Sequence, residues 1–278
     1  MRWTTKLGMN GLLAMTGLLL AAAPAIGAVQ VKPVEWAMEQ VHFRGYAVYD
    51  DASALRRPGL LMLPNWRGAG DEAIRMATQI AGSQYVVLVA DLYGSDVRPK
   101  DDAESLAAVK AVYADRGKTL RSRALKSLDV LKQQASQLPL DAQAIGAVGF
   151  CFGGGVALEL ARTGAELRGG VVSFHGNLDS YQPADKTPKA AILVLNGAAD
   201  ESVPRAQVAE FQQEMTRVAA DWQLVDFGGA RHCFAQESSA GNPADSNCRY
   251  DARAAARAFA MMRAFLHEQF AGKPLPKD

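Results

Sequence analysis

Short, uninterrupted apolar runs alternate with helix-length segments through most of this chain, and that rhythm leaves few folds open. The runs are Pro58–Pro64, Tyr85–Ala90, Ala144–Val148, Gly170–Phe174 and Ala190–Leu195. None shows the every-second-residue polarity of a strand with one wet face, so both faces of each are expected to be covered. Glu72–Ala81, 101–116, 118–136, Gly154–Ala161 and Pro204–Ala219 read as helices. Gly70 or Asp71 can cap the first of these, and Pro204 suits the first turn of the last. A strand at Trp222–Phe227 and a helix at Asp251–Phe270 follow, the helix with Ala255, Phe259, Met262 and Leu266 on one face. Val41–Asp50 alternates enough to be an edge strand. The expected fold class is α/β, with a mainly parallel central sheet and helices on both faces. In such sheets the chemistry gathers at the carboxyl ends of the strands.

One strand end carries Gly149-Phe150-Cys151-Phe152-Gly153. Strand, Gly-x-nucleophile-x-Gly, helix is a sharp turn that holds a nucleophile in a strained conformation, with no room for side chains two positions away on either side. Here the nucleophile would be a cysteine. Two further strand ends carry Asp200, in Asn196-Gly197-Ala198-Ala199-Asp200, and His232, in Gly228-Gly229-Ala230-Arg231-His232. Nucleophile, acid, histidine is the chain order of the α/β-hydrolase fold. In that arrangement His232 holds Cys151 as the thiolate and later protonates the leaving group, while Asp200 fixes the imidazole tautomer. The helix start after Cys151 also favours the thiolate. Backbone N–H groups of Phe152 and Trp66 are the candidate oxyanion hole.

Plainer readings exist for each residue. A buried cysteine is usually an inert apolar side chain. Asp200 could cap a loop, with Glu201 as its rival. His175 also ends a strand, but before the acid, and reads as structural or pocket-lining; His42 and His267 read as structural. No histidine or cysteine pair has metal-ligand spacing, so no metal site is expected; the expected cofactor set is none.

The N-terminus has its own character. Arg2 and Lys6 precede an uncharged apolar stretch, Leu7–Ala23, and small residues follow around Ala25 and Ala28. This reads as a secretory signal peptide over residues 1–28, with 29–278 as one domain. The run is short for a membrane anchor, and no stable membrane insertion is expected after cleavage. Loss of Arg2 and Lys6 turns the net charge from +1 to −1, which gives no basis for nucleic-acid binding. Export, as to a bacterial periplasm, means an oxidising compartment. Of the three cysteines, Cys233 and Cys248 are close in sequence and are the candidate disulfide, which leaves Cys151 as the free thiol.

Gly149-Phe150-Cys151-Phe152-Gly153-Gly154, Asp91-Leu92-Tyr93-Gly94 after a strand, Asp200 and His232 together resemble the dienelactone hydrolase family over roughly residues 35–270. The resemblance implies an α/β-hydrolase fold, a Cys-Asp-His triad, and hydrolysis of lactones or related esters through a thioester. It implies a small-molecule partner, and the chain is expected to act as a monomer. Two departures stand out. Where family members carry a glutamate that pairs with the resting cysteine, this chain has Asn65. Where they carry arginines that grip a substrate carboxylate, it has Gly94-Ser95 and Cys233-Phe234-Ala235-Gln236. Asn65, Arg67, Tyr93 and His175 are the expected pocket residues, with Arg67, Arg98 and Arg231 as the remaining candidates for the grip. A thiolate is itself a good leaving group, so enol lactones, aryl esters and thioesters suit it better than amides. A non-catalytic binding or thiol-redox protein on the same fold is the alternative, as is a broader acyltransferase or peptidase.

Overall fold

The computed structural model describes Met1, Trp3 and residues 28–115 and 117–273. Apart from Met1, Trp3 and Ala28, the expected signal segment lies outside the described residues. Among them, no helix is long and apolar enough to cross a membrane.

The strands are β1 (Val29–Met38), β2 (Val41–Asp50), β3 (Arg57–Leu63), β4 (Val86–Val89), β5 (Leu140–Phe150), β6 (Val171–Phe174), β7 (Ile192–Gly197) and β8 (Trp222–Phe227). The helices are α1 (Asp71–Ala81), α2 (Asp102–Tyr113), α3 (Lys118–Gln133), α4 (Phe152–Arg162), α5 (Arg205–Arg217) and α6 (Ala252–Ala271). All strands join one eight-stranded sheet in the order β1-β2-β4-β3-β5-β6-β7-β8. β1 and β2 form an antiparallel hairpin, β2 meets β4 antiparallel, and every later pairing is parallel.

The continuous apolar runs are explained by two buried faces. Along β4, Val86 and Leu88 face the cluster that contains Val112, Leu128, Val156 and Phe211 of α2–α5. Val87 and Val89 face the opposite cluster, with Ala77 and Ile80 of α1 and Phe259 and Met262 of α6. Each fully buried side chain of this size contributes roughly 1.5–3 kcal/mol, so both faces are predominantly apolar. The α/β fold read from the sequence is the fold observed.

One expectation is corrected. Val41–Asp50 is not an edge strand, because β1 pairs with it along its whole length. β1 carries no strand pattern in the sequence because Gln30, Lys32, Pro33 and Glu35 break up its apolar residues and most of it is exposed. Pro33 is tolerated because an edge strand need not donate every backbone N–H. The elbow strand is also longer than Ala144–Val148 and the helix after it starts earlier, at Phe152 instead of Gly154.

Connections from β3 run toward β4 on one side, and those from β5 run toward β6 on the other. β3 and β5 are adjacent and parallel, with Leu63 opposite Gly149. The loops leaving their carboxyl ends therefore diverge and open a crevice, the usual place for a site in such a sheet.

Candidate active site

The turn at the end of β5 is strained where the sequence predicts it. Cys151 has φ 54° and ψ −121°, a conformation that costs on the order of 1–3 kcal/mol and persists only when its surroundings enforce it. The enforcement is visible. Cys151 N–H donates to the Phe174 carbonyl at 3.0 Å, and its own carbonyl accepts from Gly154 N–H at 2.9 Å. A Cβ on Gly149 would strike the Gly153 carbonyl, and one on Gly153 would strike the Leu63 carbonyl. Glycine at both positions lets the first turn of α4 lie against the ends of β5 and β3.

Cys151, Asp200 and His232 come together from three strand ends. His232 Nδ1 donates to Asp200 Oδ2 at 2.7 Å, and Nε2 lies 3.0 Å from Cys151 Sγ. Asp200 is buried, and its other oxygen accepts from Ser202 N–H at 2.7 Å. Gly197 lets the two loops approach, since a Cβ there would meet the Ala230 and Arg231 carbonyls. Ala199 N–H then donates to the Ala230 carbonyl at 2.9 Å. The loop bearing His232 is further held by the Cys233–Cys248 disulfide and by Arg249 N–H on the His232 carbonyl at 2.9 Å. Cys151 keeps a free thiol.

Burial on its own would lower the pKa of His232. The hydrogen bonds with Asp200 and Cys151, and the charges of both, more than reverse this and raise it from 6.5 to about 10. The imidazolium is therefore favoured by the fold. Its contribution to stability is complete below about pH 6.5 and is lost as pH rises through about 10. In an NMR titration of the imidazole, Cys151→Ala is expected to move the His232 midpoint downward, because the variant removes the hydrogen bond and the electrostatic contribution of Cys151 that raise it. An unmoved midpoint would mean that Asp200 alone sets the value.

The expected pocket residues separate into two groups. Asn65, Trp66, Arg67, Cys151 and His232 line a cleft of about 670 Å³, together with Glu72, Asp102, Gln236, Asn247 and the disulfide. Tyr93 and His175 are not on its wall. Tyr93 is buried behind it, where its hydroxyl donates to the Trp66 carbonyl at 3.0 Å and its ring stacks on Phe152 at 5.7 Å. It thus ties together the two segments whose N–H groups were the oxyanion candidates. Burial first, and then nearby negative charge, push the Tyr93 phenol well above its usual range, so it stays a neutral donor. His175 is completely buried, edge-on to His232 at 5.1 Å. Burial, and then the charge of His232, hold its pKa well below 6.5, so it supports that ring as a neutral neighbour.

Three more placements bear on the expectations. Asn65 Oδ1 accepts from Arg67 N–H at 2.9 Å, so its side chain shapes its own loop. Arg98 is occupied by Asp91 and by the Gly94 and Arg44 carbonyls, and Arg231 by the Ser246 carbonyl. Arg67 is paired with Asp102. Arg67 and Arg98 are thus already paired with carboxylates, and Arg231 does not line the cleft. Glu72 and Asp102 have no signal in the sequence, because α1, α2 and the loop after His232 meet only in the folded chain; Gln236 lies in the segment that the family resemblance singles out.

The disulfide closes a 15-residue segment beside the histidine. Chain entropy gives such a crosslink about 3 kcal/mol. Urea denaturation of Cys233→Ala/Cys248→Ala is expected to show a loss of that size, and an unchanged midpoint would mean that the loop is held by its other contacts.

A family model described as the dienelactone hydrolase family matches residues 43–270. An uncharacterised protein of Caenorhabditis elegans is 35% identical over 160 residues, covering 57% of this chain and 99% of the relative. A carboxymethylenebutenolidase homolog of Rattus norvegicus is 31% identical over 162 residues, 57% of this chain and 62% of its own. A solved structure of a dienelactone hydrolase-like promiscuous phosphotriesterase from metagenomic libraries matches with a TM-score of 0.78. It is 31% identical and covers 88% of this chain and 100% of that one.

Proposed function

From the premise that the chain belongs to the dienelactone hydrolase family, we propose that it hydrolyses lactones or activated esters through a thioester on Cys151. The single observation that carries this reading is the continuous hydrogen-bonded line from Cys151 Sγ through His232 to Asp200.

In this reading the Cys151 thiolate adds to the substrate carbonyl carbon, and the carbonyl oxygen becomes an oxyanion. The N–H groups of Phe152 and Trp66 receive it. The first N–H groups of α4 have no acceptor within the helix, so the Phe152 donor is available without rearrangement. The tetrahedral intermediate then expels the alcohol or enol, which takes its proton from the His232 imidazolium. Water attacks the thioester as neutral His232 accepts a proton from it, and expulsion of the thiolate restores the imidazolium–thiolate pair. Asp200 keeps Nδ1 protonated throughout, so Nε2 is the nitrogen that exchanges the proton.

A thiolate competes with the substrate's leaving group when the intermediate collapses. Enols, phenols and thiols depart readily, whereas an amide nitrogen does not without prior protonation. This favours ester and lactone hydrolysis over peptide cleavage. The basic, apolar, small-residue order of residues 1–28 supports export, and the Cys233–Cys248 crosslink suits an oxidising compartment.

Mixing the protein with 4-nitrophenyl acetate should give a burst of nitrophenolate of about one equivalent, with the acetyl adduct on Cys151 by mass spectrometry. Absence of a burst in protein with a titratable Cys151, or an adduct elsewhere, would sink the proposal.

A further inference from the structure

We infer that the cleft selects uncharged esters or lactones bearing hydroxyl or amide N–H donors and turns away those bearing a carboxylate, an inference that rests on the hydrolase reading above. It follows from the charges on the cleft wall. Beside the Cys151–His232 pair, the described wall holds one guanidinium, Arg67, and two carboxylates, Glu72 and Asp102. Arg67 Nη2 lies 2.5 Å from Asp102 Oδ1, so the one cation is already neutralised. Glu72 has no such partner among the described residues. Its Oε1 accepts from Gln236 Nε2 at 3.2 Å and from Ser238 Oγ at 2.5 Å. Both donors are neutral, so they orient the carboxylate and leave its charge in place.

The remaining polar wall is made of amides and hydroxyls, including Ser202, Asn242 and Asn247. Asn242 turns its Nδ2 to the Cys248 carbonyl at 2.7 Å, which leaves its Oδ1 as an acceptor. A ligand hydroxyl or amide N–H can donate to Glu72 or Asn242. A ligand carboxylate has nothing to donate, finds no unpaired cation, and faces the charge of Glu72 in a partly enclosed space where screening is weaker than in bulk water. The same wall therefore rewards a neutral donor and penalises an anion.

The test uses two 4-nitrophenyl esters of equal length and with the same leaving group: the adipamate, which ends in an amide, and the hydrogen adipate, which ends in a carboxylate. With the disulfide-bonded protein at low ionic strength, kcat/KM for the adipamate is expected to exceed that for the adipate by about tenfold or more, each corrected for spontaneous hydrolysis. Glu72→Gln removes the charge and keeps the acceptor, and Asp102→Asn releases Arg67. Each is expected to shrink the ratio at least about threefold. A ratio taken within one variant cancels any change in folded fraction. Equal rates, preference for the adipate, or a ratio unmoved by both variants would overturn the assignment. 4-Nitrophenyl acetate, run alongside, separates the two readings. A burst on acetate with neither adipoyl ester cleaved overturns the cleft assignment alone. No burst on any ester overturns the hydrolase reading with it.

Discussion

Cys151→Ala is expected to lower kcat/KM for 4-nitrophenyl acetate by about 10⁴-fold or more. The size follows from the way the three residues act as a unit. Under the proposed mechanism, loss of Sγ leaves His232 without a thiolate partner and no thioester can form; only the proposed oxyanion donors and substrate binding are left. The turn itself should survive, because its strain is held by the backbone hydrogen bond from Cys151 to Phe174 and by Gly149 and Gly153, none of which involves the thiol. Steady-state kinetics should be read together with a circular dichroism melt, so that lost activity is not confused with lost fold. An alanine variant that keeps more than about a tenth of the rate would place the cleavage elsewhere and end the cysteine assignment.

Arg162→Ala is expected to destabilise the protein by about 3–5 kcal/mol, read as a fall in the midpoint of urea denaturation. Arg162 lies on α4, the helix that begins at the Cys151 turn, and its side chain is 1% exposed. It bonds Glu159 at 3.0 Å and Glu214 of α5 at 2.8 Å, and it donates to the Leu178 and Asp179 carbonyls. Arg121 of α3 joins the same cluster at Glu159, at 2.6 Å. Removing Arg162 leaves Glu214 without this cation, leaves Glu159 with Arg121 alone, and strands the buried Leu178 carbonyl. Arg162→Met, which fills the space without the charge, should be scarcely better, because the carboxylates are what suffer. A loss under about 1 kcal/mol would mean that water reaches the cluster and the pair is worth no more than a surface one.

Much of this site was legible before folding. The sharp turn at Cys151 announces itself because a strained conformation allows few residues, and that demand falls on five consecutive positions. Asp200 and His232 were found by order, since a parallel sheet brings successive strand ends to one edge. The disulfide was legible from the cysteine count and the closeness of Cys233 to Cys248. Tyr93 lies behind the wall and His175 takes the structural of its two readings, because a strand-end position places a residue near the site without saying which side of the wall it occupies. β1 was missed because exposed edge strands need not carry an apolar pattern.

By itself, the sequence determined the local matters: which runs are buried on both faces, where the chain must turn sharply, and which residue types could perform covalent chemistry. These depend on neighbours a few positions apart, so a linear reading captures them. Only the tertiary structure decided the character of the cleft. Gln236 reaches Glu72 across 164 positions and Arg67 reaches Asp102 across 35. Whether an arginine is a free grip or a neutralised one depends on which carboxylate the fold sets beside it, and no local pattern encodes that distance. The same holds for the pKa of His232, which two partners from separate strand ends raise against its own burial.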